Sequence, residues 1–180
     1  LGAFRAEDLL LIINEDGTLK TTTPELSTHF NDLPIVIERW IKRKPITLVY
    51  YNQNKKEYFI KRFIVENKKN ELSYLKEGAK LIFVTTEWRP VIKIQFKKNR
   101  GEVSNQEKII NVEEFIDIKG FKANGNRLLT EKKYHKNKIN KISLFESLPY
   151  EDDIKNKDIV ELKANDPETF TTSNKTQIKL

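Results

Sequence analysis

The side chains that could carry out catalysis are few and widely separated along this 180-residue chain. Its two histidines, His29 and His135, have no neighbouring cysteine or histidine at the spacing of a metal site. Adjacent carboxylates such as Asp152 and Asp153 lie in a polar stretch, and 26 acidic residues make such pairs frequent by chance. No nucleotide-binding loop and no nucleophile elbow occurs. The sequence therefore predicts no catalytic residue, no metal site and no cofactor within this chain.

The chain also lacks cysteine and methionine. Without cysteine it has neither disulfides nor thiolate sites, which suits a reducing compartment. Because residue 1 is not methionine, we interpret the chain as a fragment of a longer protein. No apolar run approaches the roughly 18 residues of a membrane-spanning helix. We expect no membrane association and a cytoplasmic location.

Positive charge is concentrated in two stretches of the chain, which has a net charge of +7. Residues 39–69 carry ten basic and two acidic side chains, and residues 93–141 carry thirteen basic and six acidic ones. Residues 1–38 are acidic by contrast, with two basic and seven acidic side chains. Lysines often do no more than solvate a surface. Two basic blocks that coincide with predicted strands instead favour a positive rim that attracts a polyanion.

Aromatic and basic residues alternate in several places, as in Tyr58–Phe63 and Trp40–Lys44. Proteins that bind single strands combine stacking aromatics with a basic groove, but half the side chains of a strand point inward, so most of these aromatics are expected in the core. Basic residues at strand ends and turns could instead hold phosphates without reading bases. The segment Gly120–Leu128 has two glycines that permit a tight connection and close approach of the backbone.

The elements that position these residues are predicted from period-2 alternation and turn chemistry. Three hairpin-like stretches recur about every 35 residues, a period typical of blades or solenoid repeats. Asp16-Gly17 gives the strongest turn signal, because glycine tolerates the positive φ of tight hairpins. The three hairpins are predicted over Asp8–Thr21, Pro45–Phe63 and Lys80–Phe96.

Further elements complete an all-β prediction. Ile35–Trp40 is expected as a strand, with a short helix from Pro34 as the competing interpretation, and Val112–Ile118 as another strand. Helix is expected to be sparse, limited to a turn or two within Ser104–Ile110 or Lys136–Leu144. Residues 1–147 are predicted to form the β-rich domain, and residues 148–180 a polar C-terminal extension.

Taken together, several of these motifs resemble one family. Asp8–Ile13 followed by Asp16–Lys20 resembles the blade motif in the C-terminal domain of bacterial type IIA topoisomerase A subunits. Gly120–Leu128, with its two glycines and Arg127, resembles the linker between blades of that domain. Pro45–Phe63 and Trp88–Val91 are similar to topoisomerase IV or gyrase A subunits of the Bacteroidetes lineage. The resemblance covers roughly residues 3–145.

The resemblance implies a β-pinwheel of repeated antiparallel blades, about three blades or a partial disc, whose basic perimeter bends or wraps duplex DNA. It implies that the parent is an ATP-dependent DNA topoisomerase, with the rest of the A subunit and the ATPase B subunit as partners. Cleavage, ATP and Mg²⁺ would then belong to other domains or to the B subunit, and the fragment itself would be non-catalytic. The location implied is cytoplasmic and nucleoid-associated. The glutamine-arginine-arginine-glycine-glycine-lysine-glycine box of gyrase is absent from the 180 residues, so gyrase and topoisomerase IV both stay open as parents.

By the same resemblance, the residues expected to contact phosphates follow blade strands or the linker: Lys20, Lys61, Arg62, Lys93, Lys122 and Arg127. Lys61 and Arg62 are adjacent and should face opposite ways in a strand. Neutralising both should flatten the salt dependence of DNA binding and weaken all duplexes alike. A charged pair at a strand end is expected to be exposed, so the fold should stay intact. Two alternatives remain: a basic propeller-like module that binds proteins, and a β-rich enzyme whose carboxylates converge in a cleft.

Overall fold

A computed structural model describes residues 8–24, 34–66, 71–97, 106–131 and 138–150 of the chain. Every element named below belongs to residues 1–148, the first of the two units into which the chain divides. His29, His135 and the pair Asp152 and Asp153 lie outside the described residues. The boundary between a β-rich domain and a polar extension stays a prediction.

Strands account for nearly all regular structure in the described residues, beside one four-residue helix. The elements are β1 Leu10–Asn14, β2 Thr18–Thr22, β3 Pro34–Arg39, β4 Pro45–Asn52, β5 Glu57–Ile64, β6 Leu72–Ser73, β7 Ala79–Thr85, β8 Pro90–Phe96, β9 Glu107–Asn111, α1 Val112–Phe115, β10 Asn126–Arg127 and β11 Ile139–Ser147.

The strands form three antiparallel sheets within the described residues. Sheet A has the order β3-β1-β2-β6, sheet B the order β10-β5-β4-β7, and sheet C the order β11-β8-β9. Each is built on a central hairpin, and the β1–β2 turn contains Gly17 at a φ of 94° as its Asp-Gly sequence predicts. The Asp16 side chain accepts a hydrogen bond from the Thr18 backbone N–H at 2.8 Å, which fixes this turn.

In sheets A and B the fourth strand comes from a later part of the chain, after the central hairpin of the following sheet. β6 pairs with β2 of sheet A but follows β4 and β5 in the chain. β10 pairs with β5 of sheet B but follows β8 and β9. Sheet C has three strands in the described residues, and there β9 pairs on one side only. We call this arrangement strand donation.

Sheet B is covered on both faces by apolar side chains. One cluster joins its Leu48 and Phe63 to Leu11, Ile13 and Leu19 of sheet A. A second cluster joins Val49 and Ile60, on the opposite face of the same strands, to residues of sheet C, which include Ile92, Ile94, Phe96 and Ile110. Burying both faces explains why β4 and β5 read as almost continuous buried runs rather than as alternating ones.

The all-β pinwheel prediction is confirmed: three small antiparallel sheets with almost no helix fit a pinwheel-like arrangement that is not closed. The hairpins Asp8–Thr21 and Pro45–Phe63 and the strand at Ile35–Trp40, here β3, are confirmed as well. The third hairpin, Lys80–Phe96, is wrong: its two strands form as β7 and β8, but β7 pairs with β4 in sheet B and β8 with β9 and β11 in sheet C. No helix in the described part of the chain is long and apolar enough to cross a membrane.

Three further local predictions were wrong. Val112–Ile118 does not continue as a strand but begins with α1, because Asn111 caps the helix by accepting the Glu113 N–H and two glutamates occupy its first turn. The described parts of Ser104–Ile110 and Lys136–Leu144 are the strands β9 and β11 rather than helix. Pairing on either side of β8 outweighs the weak helical tendency of these short segments.

Candidate nucleic-acid interface

Lys61 lies in the middle of β5 and is 5% exposed. Its ammonium group donates a hydrogen bond to the Tyr74 carbonyl at 3.1 Å and lies 5.0 Å and 5.1 Å from the ring centroids of Phe63 and Phe121. Burial lowers its pKa to about 8, and the charge of Lys76 acts in the same direction. Lys61 thus connects β5, the segment around Tyr74 and the loop that carries Phe121.

Arg62 is also 5% exposed, on the opposite face of β5 as expected for adjacent strand residues. Its Nη2 donates to the Trp88 carbonyl at 2.9 Å, and its Nε makes no hydrogen bond to the described residues. Burial lowers the pKa of its guanidinium, a change that the carboxylate of Glu113 partly offsets. The expectation that Lys61 and Arg62 are exposed is therefore wrong. Their contact with DNA stays a prediction, which would need local opening of the strand.

Two other predicted phosphate contacts already have carboxylate partners. Lys93 forms an ion pair with Glu107 at 3.5 Å and lies 4.9 Å from the ring centroid of Phe145. Arg127, whose side chain is 61% exposed, forms an ion pair with Glu57 at 3.0 Å. Such exposed pairs are weak, so both cations can exchange a carboxylate for a phosphate at little cost.

Lys20 and Lys122 make no ion pair within the described residues. Lys20 is half-buried on β2, whereas Lys122 is exposed in the loop between α1 and β10. The six predicted residues are thus distributed over all three sheets and one loop, and the structure does not gather them into a single site. Their roles at DNA stay predictions.

The loop Gly120–Leu128 is held tightly against sheet B. Gly125 has a φ of 80°, and a Cβ added there would lie 2.2 Å from the Ile60 carbonyl oxygen. The Tyr50 hydroxyl donates to the Asn124 carbonyl, and the Leu128 N–H donates to the Tyr58 carbonyl at 2.9 Å. The close backbone approach predicted from the glycines occurs at Gly125. There the loop backbone approaches the backbone of Ile60 in β5 rather than a ligand.

A group of cations that the sequence interpretation missed lies at one end of sheet B. We call Lys55, Lys56, Lys76 and Lys80 the turn-end lysines. Lys55 and Lys56 belong to the turn between β4 and β5, Lys76 to the turn before β7, and Lys80 to β7 opposite Tyr51. All four are exposed, and none forms an ion pair with a described residue.

The two turns that carry these lysines are tied together. The Gln53 N–H donates to the Gly78 carbonyl at 2.9 Å, and the Lys55 N–H donates to the Asn52 side chain at 2.9 Å. Gly78 has a φ of 75° and faces the Asn54 amide so closely that a Cβ would lie 3.2 Å from its nitrogen. The turn-end lysines therefore project from an ordered base. The long polar turn Asn52–Lys56 was visible in the sequence, but its proximity to Lys76 and Lys80 depends on the pairing of β4 with β7.

The chemistry of this surface is that of an anion-binding patch. Four exposed ammonium groups at one end of sheet B, none paired with a carboxylate of the described residues, can attract a polyanion through its phosphates. No group of three or more histidine or acidic side chains that could hold a metal ion occurs in the described ranges.

Comparison with known proteins gives one result. A family model described as the topoisomerase C-terminal domain of Bacteroidota matches residues 1–144. No curated protein and no solved structure matches the chain. The match includes all three sheets up to residue 144, within β11, and with them the turn-end lysines.

Proposed function

Because the chain belongs to the family of topoisomerase C-terminal domains of Bacteroidota, we propose that it binds duplex DNA without sequence preference and bends or wraps it for the parent enzyme. The domain is part of a topoisomerase, an enzyme that acts on DNA. The domain contributes to that enzyme by binding DNA phosphates. We further assign it to the A subunit of a type IIA enzyme, gyrase or topoisomerase IV, in the bacterial cytoplasm. ATP hydrolysis in the B subunit and Mg²⁺-dependent cleavage elsewhere would supply the chemistry.

The observation that carries the proposal is the set of turn-end lysines. Lysines that bind phosphate oxygens position a protein on DNA but carry no sequence information. Lys122 adds a further exposed positive charge. It lies on the loop that Asn124 holds against sheet B. Among the residues predicted from the sequence, four are retained as additional phosphate ligands: Lys20, Lys93, Lys122 and Arg127. Lys61 and Arg62 are weaker candidates for phosphate contact, because both are buried.

The test is the affinity for a long duplex measured across a salt series. The variant K56Q/K80Q removes two turn-end lysines, and the slope of log affinity against log salt should become shallower by about 0.9 for each phosphate that is no longer neutralised. The matched control K97Q/K138Q removes two exposed lysines at one end of sheet C, where the Lys97 N–H donates to the Lys138 carbonyl. We expect K56Q/K80Q to weaken all duplexes alike and the control to change affinity less than twofold. Equal effects of the two variants, or a preference for one base sequence, would contradict the proposal.

The alternative, a basic module that binds a protein, is favoured by one observation. Sheet C exposes Ile109 and Phe145, which are 53% and 50% accessible, on the face that also carries Lys93. If the wild-type chain shows no salt-dependent binding to long duplex DNA, this alternative replaces the DNA-binding proposal.

A further inference from the structure

A cavity of about 180 Å³ opens at the same end of sheet B as the turn-end lysines. Its lining comes from three separate parts of the chain: the β4–β5 hairpin, the turn before β7, and the loop before β10. The lining residues are Tyr50, Asn52, Lys55, Phe59, Lys76 and Asn124. None of these six is acidic, so they offer aromatic, amide and ammonium groups.

The aromatic part of the lining is fixed before any ligand arrives. Tyr50 and Phe59 are cross-strand partners, and their rings are stacked with centroids 5.5 Å apart at an interplanar angle of 17°. The Tyr50 hydroxyl is held by the Asn124 carbonyl, and both aromatic residues are less than one-tenth exposed. A flat ring that packs against them would therefore lose little free energy to ordering the protein.

The polar part of the lining donates hydrogen bonds. Lys55 Nζ lies over the Phe59 ring, 5.4 Å from the ring centroid. Asn52 Oδ1 already accepts the Lys55 N–H, which leaves the amide nitrogen of Asn52 as the group available to a ligand. Lys76 provides a second ammonium group that is not paired with a carboxylate of the described residues. Two ammonium groups and an amide donor favour a ligand that is anionic and rich in acceptors.

We propose that this cavity binds one unpaired nucleotide unit, with its base against Tyr50 and Phe59 and its phosphate between Lys55 and Lys76. Because cavities of about 150 Å³ admit a benzene-sized ring, the volume suits a pyrimidine. A base within a duplex is stacked and paired and cannot enter, so the unit is either a free nucleotide or an unpaired nucleotide of a DNA strand. The site does not rest on the proposed duplex binding, and its two lysines differ from the pair replaced to test that binding.

Calorimetric titration with three small probes tests both halves of the site. Thymidine 5′-monophosphate should bind at least tenfold more tightly than either thymidine or inorganic phosphate, because only the nucleotide uses the aromatic wall and both lysines. K55Q/K76Q should weaken the nucleotide at least tenfold and leave thymidine unchanged. K97Q/K138Q is again the matched control and should alter neither by more than twofold.

A second variant, F59L, separates the ring contact from general loss of structure. It keeps an apolar side chain of similar size but removes the stacking surface, and its far-ultraviolet circular dichroism should match that of the wild type. We expect F59L to bind the nucleotide no more tightly than inorganic phosphate. A nucleotide that binds no better than inorganic phosphate to the wild type, or equal losses in K55Q/K76Q and K97Q/K138Q, would overturn the proposal.

Two DNA probes then identify the source of the nucleotide. A duplex with one unpaired thymidine should bind at least tenfold more tightly than the fully paired duplex if the unit belongs to DNA, and equally if it is a free nucleotide. K56Q/K80Q serves as the reciprocal control, since it should weaken the paired duplex but not the mononucleotide. Absence of duplex binding with intact nucleotide binding would therefore contradict only the proposed function, and the reverse would contradict only this site.

Discussion

Lys61 is a cation held inside the protein by one carbonyl and two aromatic rings. The Tyr74 carbonyl at 3.1 Å and the rings of Phe63 and Phe121 do not replace the water that its ammonium group loses. Its folded-state pKa of about 8 consequently lies below the ordinary value of 10.5. Between these pH values the unfolded chain holds a proton that the folded chain has released, so stability rises with pH across this window.

We therefore predict that the free energy of unfolding, measured with urea, increases between pH 8 and pH 9.5 by about 1–2 kcal/mol, since a full pH unit in the window contributes up to about 1.4 kcal/mol. K61M removes the titrating group but retains the length of the side chain, and it should lack this increase. The window stops below pH 10 because burial raises the pKa values of Tyr50, Tyr58 and Tyr74, which favours unfolding at higher pH. Parallel pH curves for K61M and the wild type would show that Lys61 is solvated.

Arg62 should contribute to stability rather than to the salt dependence of DNA binding. Replacing it with alanine leaves the Trp88 carbonyl without its charged donor and opens a cavity beside β4. We expect R62A to lower the free energy of unfolding by about 2–3 kcal/mol. R127A removes an exposed arginine with a carboxylate partner and should cost less than about 1 kcal/mol. A destabilisation of the same size in both variants would contradict the burial of Arg62.

At the scale of elements, the loop Gly120–Leu128 has two glycines with opposite environments. Gly125 has a positive φ and no room for a Cβ against the Ile60 carbonyl, whereas an added Cβ at Gly120 has no neighbour within 4 Å. G125A should therefore lower the free energy of unfolding by about 2–4 kcal/mol through strain and detachment of β10 from β5. G120A should stay within about 0.5 kcal/mol of the wild type. Thermal unfolding followed by circular dichroism compares the two, and equal midpoints would contradict the clamped loop.

The sequence was most informative where local chemistry decides the structure. Asp16-Gly17 fixes a turn, and the alternation of Ile92, Lys93, Ile94 and Gln95 identifies β8, whichever sheets lie beside it. Alternation cannot show that both faces of a strand are buried. In β5, Lys61 is flanked by Phe59 and Phe63 on its own face, and Arg62 by Ile60 and Ile64. That pattern indicates burial more than exposure, and it is the signal the sequence interpretation underused.

The turn-end lysines could not be predicted as a group for a different reason. Lys55 and Lys80 are far apart in the sequence, and they lie at the same end of sheet B because of the register of β4 with β7, in which Asn52 pairs with Ala79. That register contains an irregularity between Val49 and Tyr50. A one-residue slip would turn the lysines to another face, and nothing local in the sequence specifies the irregular step.

At the scale of the whole molecule, the domain is one part of a topoisomerase, so its contribution is best measured in the complete enzyme. If the domain positions DNA and the chemistry lies elsewhere, K56Q/K80Q in the complete parent topoisomerase should slow changes in supercoiling several-fold. It should leave cleavage of a short duplex unchanged, because cleavage would then be carried out by other domains. Gel assays of supercoil relaxation and of cleavage on the same preparations make the comparison. An equal loss in both assays would place these lysines in the cleavage step.

Strand donation has a consequence for how the polypeptide matures as it leaves the ribosome. Sheet A gains β6 only after the hairpin of sheet B has been synthesised, and sheet B gains β10 only after that of sheet C. Until its donated strand is made, each of these two sheets presents an open edge, at β2 in sheet A and at β5 in sheet B. The sheets are thus completed in order from the N-terminus, each by chain made later. A ribosome that stalls between β9 and β10 would therefore carry a nascent chain with β5 uncovered, and an uncovered strand of this kind invites pairing with other chains.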